Sequence, residues 1–125
     1  MLPNISESEW QVMRVLWEQS PRTADEVVQA LDGQTAWTHR TIKTFLNRLV
    51  KKKALGYRNE GRVYHYHPIV QERDCVHAES RSFLDRVYGG ALTPMLAHFI
   101  QEENLSPQDI AELKSILDRK GRTGK

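Results

Sequence analysis

Arg40, Lys43, Arg48, Lys51 and Lys52 lie along one side of the stretch WTHRTIKTFLNRLVKKKALG, Trp37 to Gly56, interleaved with Thr41, Thr44 and Asn47. These side chains are cations and compact hydrogen-bond donors. They suit charge-assisted contacts to phosphate oxygens, bidentate pairing with guanine O6 and N7, and methyl contact with thymine. Between Thr38 and Arg62 the chain holds eight basic residues against one acid, Glu60, although its net charge is only +2. From Ile69 to Lys125 eight basic residues meet nine acidic ones. A cationic patch on a near-neutral body points to a polyanionic partner, with nucleic acid first among the candidates.

The same stretch carries a second pattern. Ile42, Phe45, Leu46, Leu49 and Val50 recur at i, i+3, i+4, i+7 and i+8, one face of an α-helix. That face predicts packing inward, which turns Thr38, His39, Arg40, Thr41, Lys43, Thr44 and Asn47 outward. Near the start of such a helix Arg40, Thr41, Lys43 and Thr44 are the candidates for base contacts. Arg48, Lys51, Lys52 and Lys53 lie farther along and suit phosphates, which position without specifying. Arg58 and Arg62 follow on a short hairpin, within reach of the backbone beside the helix.

Three helices must position this face. Ser6-Glu7-Ser8-Glu9 has the capping-box form and opens a first helix, Ser6 to Glu18, with Trp10, Met13, Leu16 and Trp17 as its stripe. Ser20-Pro21 ends it. A second box, Thr23-Ala24-Asp25-Glu26, opens a helix from Thr23 to Leu31 that Asp32-Gly33 stops. Thr38 caps the third, which runs to about Lys53. The periodicity then changes to two short runs, Leu55 to Asn59 and Arg62 to His67, joined by Glu60-Gly61 and ended by Pro68. Three helices and a hairpin give the winged helix-turn-helix order, in which the second helix of the pair enters the major groove. The expected class is mainly α with a small β-hairpin wing, a DNA-binding domain over residues 1–68.

The remaining residues, 69–125, read as a helical dimerisation region. Val70 to Tyr88 carries Val76, Phe83, Leu84 and Val87, and Gly89-Gly90 ends it. Leu92 to Glu103 carries Leu92, Met95, Leu96, Phe99 and Ile100. Ser106-Pro107 opens Ser106 to Arg119, with Ile110, Leu113, Ile116 and Leu117, and Gly121 to Lys125 reads as a frayed tail. Such narrow stripes make too small a core alone, so pairing with the same helices of a second chain is expected, which suits a palindromic DNA site; the competing reading is a monomer in which they pack back on their own winged helix.

At 125 residues with 39% hydrophobic content, the chain fits one domain, or a small domain with an appendage. No apolar run approaches the roughly 20 residues that span a bilayer. The start, MLPNISESEW, does not read as a secretory signal, and one cysteine, Cys75, excludes an intramolecular disulfide framework. A cytoplasmic protein is expected, without membrane insertion.

The runs SESEWQVMRVLW, TADEVVQAL and WTHRTIKTFLNRLVKKKALGYRNEGRVYHYHP together resemble the penicillinase-repressor family, the BlaI/MecI/CopY group of bacterial regulators. The resemblance extends to FIQEENLSPQDIAELKSIL and so covers nearly the whole chain. It implies a homodimeric transcriptional repressor on an operator dyad built on TACA/TGTA, with a C-terminal dimerisation region. It also implies control of a β-lactam, cell-wall stress or related response, with release by an upstream signal or by proteolysis; in the β-lactamase branch an Asn-Phe bond of the dimerisation region is cut, which makes an upstream membrane sensor protease a candidate partner. The aligned position here is His98-Phe99, which keeps the phenylalanine and lacks the asparagine. The paired C-terminal cysteines of copper-responsive members are absent.

His65 and His67 alternate on a strand, but without a nearby cysteine they read as polar wing residues, so no metal site or cofactor is expected. His77 and Cys75 read as packing residues. No nucleophile, base and acid converge, which argues against an enzyme. Two rivals stand beside the repressor: a winged-helix protein-interaction adaptor, which has no need of so basic a recognition face, and a repressor that senses a small ligand directly.

Overall fold

The computed structural model describes residues 2–123. The elements run α1 (Glu7–Glu18), β1 (Arg22–Thr23), α2 (Ala24–Leu31), α3 (His39–Lys51), β2 (Leu55–Glu60), β3 (Val63–Pro68), α4 (Glu72–Tyr88), α5 (Leu92–Glu102) and α6 (Pro107–Thr123). They fall into two compact units, Met1–Glu79 and Ser80–Lys125, so the division lies inside α4.

In the first unit, the caps set the helix starts. Ser6 Oγ accepts from the Glu9 N–H at 3.2 Å while Glu9 Oε1 accepts from the Ser6 N–H at 3.0 Å, and Thr23 and Glu26 repeat this at 3.2 and 2.8 Å. Each box satisfies two backbone donors that a helix leaves unpaired at its start. Thr38 Oγ1 accepts from the Thr41 N–H and opens α3. The core joins Val12, Met13, Leu16, Val27, Leu31, Ile42, Leu46, Leu49, Leu55 and Tyr66. It continues to Cys75 on the first turn of α4, whose thiol burial pushes toward the neutral form, helped by the Asp74 charge. The Trp17 indole N–H donates to the Val70 carbonyl at 3.0 Å and ties α1 to the segment entering α4.

The sheet differs from the sequence expectation. It has three antiparallel strands in the order β1-β3-β2, with Thr23 opposite His65 and Tyr57 opposite Tyr66. The two residues of β1 carry no periodicity to read, yet they fasten the wing to the start of α2. The hairpin turn is Gly61-Arg62, not Glu60-Gly61; both residues have positive φ, 57° and 74°, as a tight two-residue turn requires. Pro68 closes β3 as its last paired residue, opposite Leu55.

Helix α4 begins at Glu72 rather than Val70, and α5 ends at Glu102. Helix α6 runs on to Thr123, so Gly121 to Thr123, expected to fray, continue the helix. The rest of that expected tail, Gly124 and Lys125, lies outside the described residues. In the second unit Phe83 packs on Phe99 with ring centroids 6.5 Å apart. Leu84 is the one buried apolar side chain there among the described residues. Leu92, Leu96, Phe99, Ile100, Ile110, Ile116 and Leu117 remain exposed.

Candidate nucleic-acid interface

Helix α3 separates its two faces as its sequence demands. Ile42, Leu46 and Leu49 are buried, with Phe45 and Val50 half-buried beside them, and Trp37 meets Phe45 edge-on at 5.0 Å. His39, Arg40, Lys43, Thr44, Asn47, Arg48 and Lys51 are exposed, and Thr41 is half-buried. The Thr44 hydroxyl donates to the Arg40 carbonyl at 3.1 Å, one turn back along the helix. Thr38 is engaged in the cap, accepting from the Thr41 N–H and donating to Thr41 Oγ1.

His39, Lys43 and Asn47, spaced one helical turn apart, face the wing across a groove of about 710 Å³. The start of α2 (Thr23, Ala24, Asp25) forms a second wall, and Asn59, Arg62, Val63 and Tyr64 of the wing form the third. His39 Nε2 lies 3.1 Å from Asp25 Oδ1, so one acid at this rim is held against a cationic helix. Thr23, Asp25, Asn59 and Tyr64 were not singled out as site residues from the sequence. The pairing of β1 with β3 and the packing of α2 and β2 against α3 bring them together.

Lys52 and Arg58, both expected on phosphates, have neighbours of their own in the chain. The Lys52 ammonium lies 2.5 Å from Glu9 Oε1 and 2.8 Å from the Asn4 carbonyl. Burial alone would push the Glu9 carboxyl up, but Lys52 and the Ser6 donors outweigh it and hold the pKa below the usual carboxylate value. The lysine is therefore the counter-ion of a buried acid. Arg58 belongs to the hairpin face opposite Tyr57 and Tyr64, beside Glu60 at 3.8 Å, whereas Arg62 lines the groove.

Lys53 is exposed with φ at 66° and ends α3. The Ala54 N–H reaches the Leu49 carbonyl and the Lys53 N–H reaches that of Val50. This is the double closure usually built on glycine. His65 and His67 share the face with Arg58, and the His67 ring lies over Gly56, where an added Cβ would come within 2.8 Å of Nε2. Among the described residues no group of three or more His, Cys, Asp or Glu side chains is placed to hold a metal ion.

A helix-turn-helix with a wing, whose second helix shows its cations to solvent, defines the class of nucleic-acid-binding winged-helix proteins. Comparison with known proteins narrows this. Residues 5–119 match the Penicillinase repressor family. The chain is 41% identical to the penicillinase repressor of Bacillus licheniformis over 117 residues, 94% of this chain and 91% of that protein. It is 31% identical to the methicillin resistance regulatory protein MecI of Mammaliicoccus sciuri, covering 93% of this chain and 94% of the relative. The solution structure of monomeric Bacillus licheniformis BlaI in complex with the blaP half-operator matches with a TM-score of 0.52 and 42% identity, over 59% of this chain and 90% of that one.

The chain belongs to the penicillinase repressor family and is a DNA-binding transcriptional repressor, not an enzyme. No helix among the described residues is long and apolar enough to cross a membrane.

Proposed function

We propose that the chain acts in the cytoplasm as a homodimeric repressor, with residues 1–68 reading an operator dyad of the TACA/TGTA type and residues 69–125 pairing the two chains. The observation that carries the reading is the outer face of α3, where Arg40, Lys43, Arg48 and Lys51 are exposed while the inner face is locked in the core. Arg40, Thr41, Lys43 and Thr44 read bases; Arg48, Lys51, Lys53, Arg62 and Arg58 hold phosphates; His39 and Asn47 contact the strand along the wing side.

Exposed apolar side chains support the pairing. Leu92, Leu96, Phe99 and Ile100 on α5 and Ile110, Ile116 and Leu117 on α6 stay unburied, as does Val87 on α4, with Phe83, Met95 and Leu113 half-buried; Val76, on the part of α4 that belongs to the first unit, is exposed as well. A second copy of the same helices covers these side chains. Leu84, expected in that interface, is already buried within the chain and has little surface left to add to it.

Repression ends through an upstream signal in a β-lactam, cell-wall stress or related response, or through proteolysis of the dimerisation region, for which His98-Phe99 is the candidate bond. That bond lies inside α5, with the His98 ring edge-on to Phe99 at 5.5 Å, so a protease must open the helix locally. Incubation with the cognate sensor protease yields two fragments; an intact chain contradicts this step. DNA reading is tested by fluorescence anisotropy with a dyad duplex and a scrambled one. Arg40→Ala is expected to cost about 1–3 kcal/mol on the dyad and to narrow its advantage over scrambled DNA. Equal losses on both duplexes reassign Arg40 to a phosphate.

A further inference from the structure

Trp17 is more firmly engaged than an apolar stripe residue needs to be. It is the penultimate residue of α1, half-buried, with Trp10 edge-on to its ring at 5.5 Å. Its indole N–H reaches the Val70 carbonyl, 53 positions along the chain, at 3.0 Å. An indole N–H taken out of water needs a partner. The partner here is backbone, so the bond fixes the path of the main chain and not merely a side chain.

Val70 is the middle residue of the three-residue connector Ile69-Val70-Gln71 between the end of β3 and the start of α4. Each of the three is tied. The Ile69 N–H donates to the Ala54 carbonyl at 2.9 Å, and the Ala54 N–H donates to the Leu49 carbonyl of α3 at 2.9 Å. The Gln71 carbonyl accepts from the Cys75 N–H at 3.1 Å in the first turn of α4, where the Cys75 side chain is 4% exposed in the core. Bonds to α1, to the end of α3 and to α4 itself leave the connector no slack.

Helix α4 then runs unbroken from Glu72 to Tyr88, across the division at Glu79 and Ser80. At a rise of 1.5 Å per residue it is about 25 Å long, so a tilt of about 10° at its root moves its far end by about 4 Å. One base-pair step is about 3.4 Å. The root of α4 is therefore a place where a small looseness costs a whole step of DNA register.

We propose that Trp17 is a positioning residue for operator reading: by holding the Val70 carbonyl it fixes the root of α4, and with it the half-site separation that two paired chains accept. This rests on the homodimer reading above and adds a residue outside both surfaces that reading uses.

The test is anisotropy with the full-length chain on a half-site duplex and on a series of dyads whose half-site spacing changes by single base pairs. The wild type is expected to prefer one spacing by about tenfold over its neighbours. Trp17→Phe keeps an aromatic ring beside Trp10 and deletes the N–H. It is expected to bind the half-site as the wild type does, to bind the best dyad about tenfold more weakly, and to flatten the spacing profile. If Trp17→Phe does not fold, a glycine inserted between Val70 and Gln71, which frees the root without altering α1, takes its place with the same expectations.

A wild type indifferent to spacing, or a variant whose profile superimposes on the wild type's, overturns the proposal while the homodimer reading stands. Equal losses on half-site and dyad also overturn it, because they assign Trp17 to folding alone. A wild type that binds the best dyad no more tightly than the half-site overturns the homodimer reading and the proposal with it.

Discussion

The two units of the chain treat apolar surface in opposite ways. Up to Glu79, three helices and a wing close over a continuous core in which Val12, Met13, Leu16, Val27, Leu46 and Leu49 have no exposed surface. From Ser80 onward, α5 and α6 are amphipathic helices whose apolar residues stay largely in contact with solvent. The first arrangement is complete within one chain; the second has the form of half an interface. Under the proposed function, reading DNA needs a rigid platform and pairing needs a surface left open, and each unit's packing suits the task proposed for it.

The comparison is broken most strongly from the core side. Leu46→Ala removes a fully buried side chain of α3 and is expected to cost about 3 kcal/mol, seen as a lower midpoint in urea unfolding. A loss below about 1 kcal/mol would mean that this core is looser than its burial indicates. From the open side, Phe99→Glu places a charge in the apolar surface of α5. It is expected to weaken self-association by about 2 kcal/mol in sedimentation equilibrium while the unfolding of the winged-helix unit stays unchanged.

A smaller effect sharpens the contrast within the first unit. Lys52→Met deprives the buried Glu9 carboxylate of its cation and is expected to cost about 1–2 kcal/mol at neutral pH, less than a fully buried pair because the ammonium is partly solvated. The sign with pH follows from the lowered Glu9 pKa. The unfolded chain takes up a proton first as pH falls, so the wild type loses this contribution on acidification through the folded pKa and holds it in full above the unfolded one. Lys52→Met should show a smaller acid-induced loss, measured as midpoint against pH. Lys53→Gly is expected to be the mildest change, stabilising by up to about 1 kcal/mol by relieving the left-handed φ at the end of α3. Destabilisation there would mean that the lysine side chain contributes a contact.

Much of the platform was legible because its signals are local. The 3.6-residue period of Ile42, Phe45, Leu46, Leu49 and Val50 and the Ser6, Thr23 and Thr38 caps report short-range geometry. What escaped is set by distant partners. Lys52 reads as one more cation in a basic run; that it turns toward Glu9, 43 positions away, depends on how α1 packs against α3. β1 is two residues long and exists only because β3 lies beside it. Thr23 reads in sequence only as a helix cap, and Asn59 and Tyr64 only as strand residues, until that pairing gathers them at one groove. The left-handed turn at Gly61-Arg62 was misplaced by one residue because glycine marks a turn without fixing its register.

The most direct test of a closed reading unit joined to an open pairing unit is sedimentation of the full chain, alone and with a duplex carrying the TACA/TGTA dyad. The account predicts a dimer when free and two chains on one duplex, with Phe99→Glu giving a folded monomer that binds the dyad far more weakly through loss of bivalent engagement. A wild-type chain that is monomeric at all concentrations, and binds the dyad as tightly as Phe99→Glu does, would contradict it.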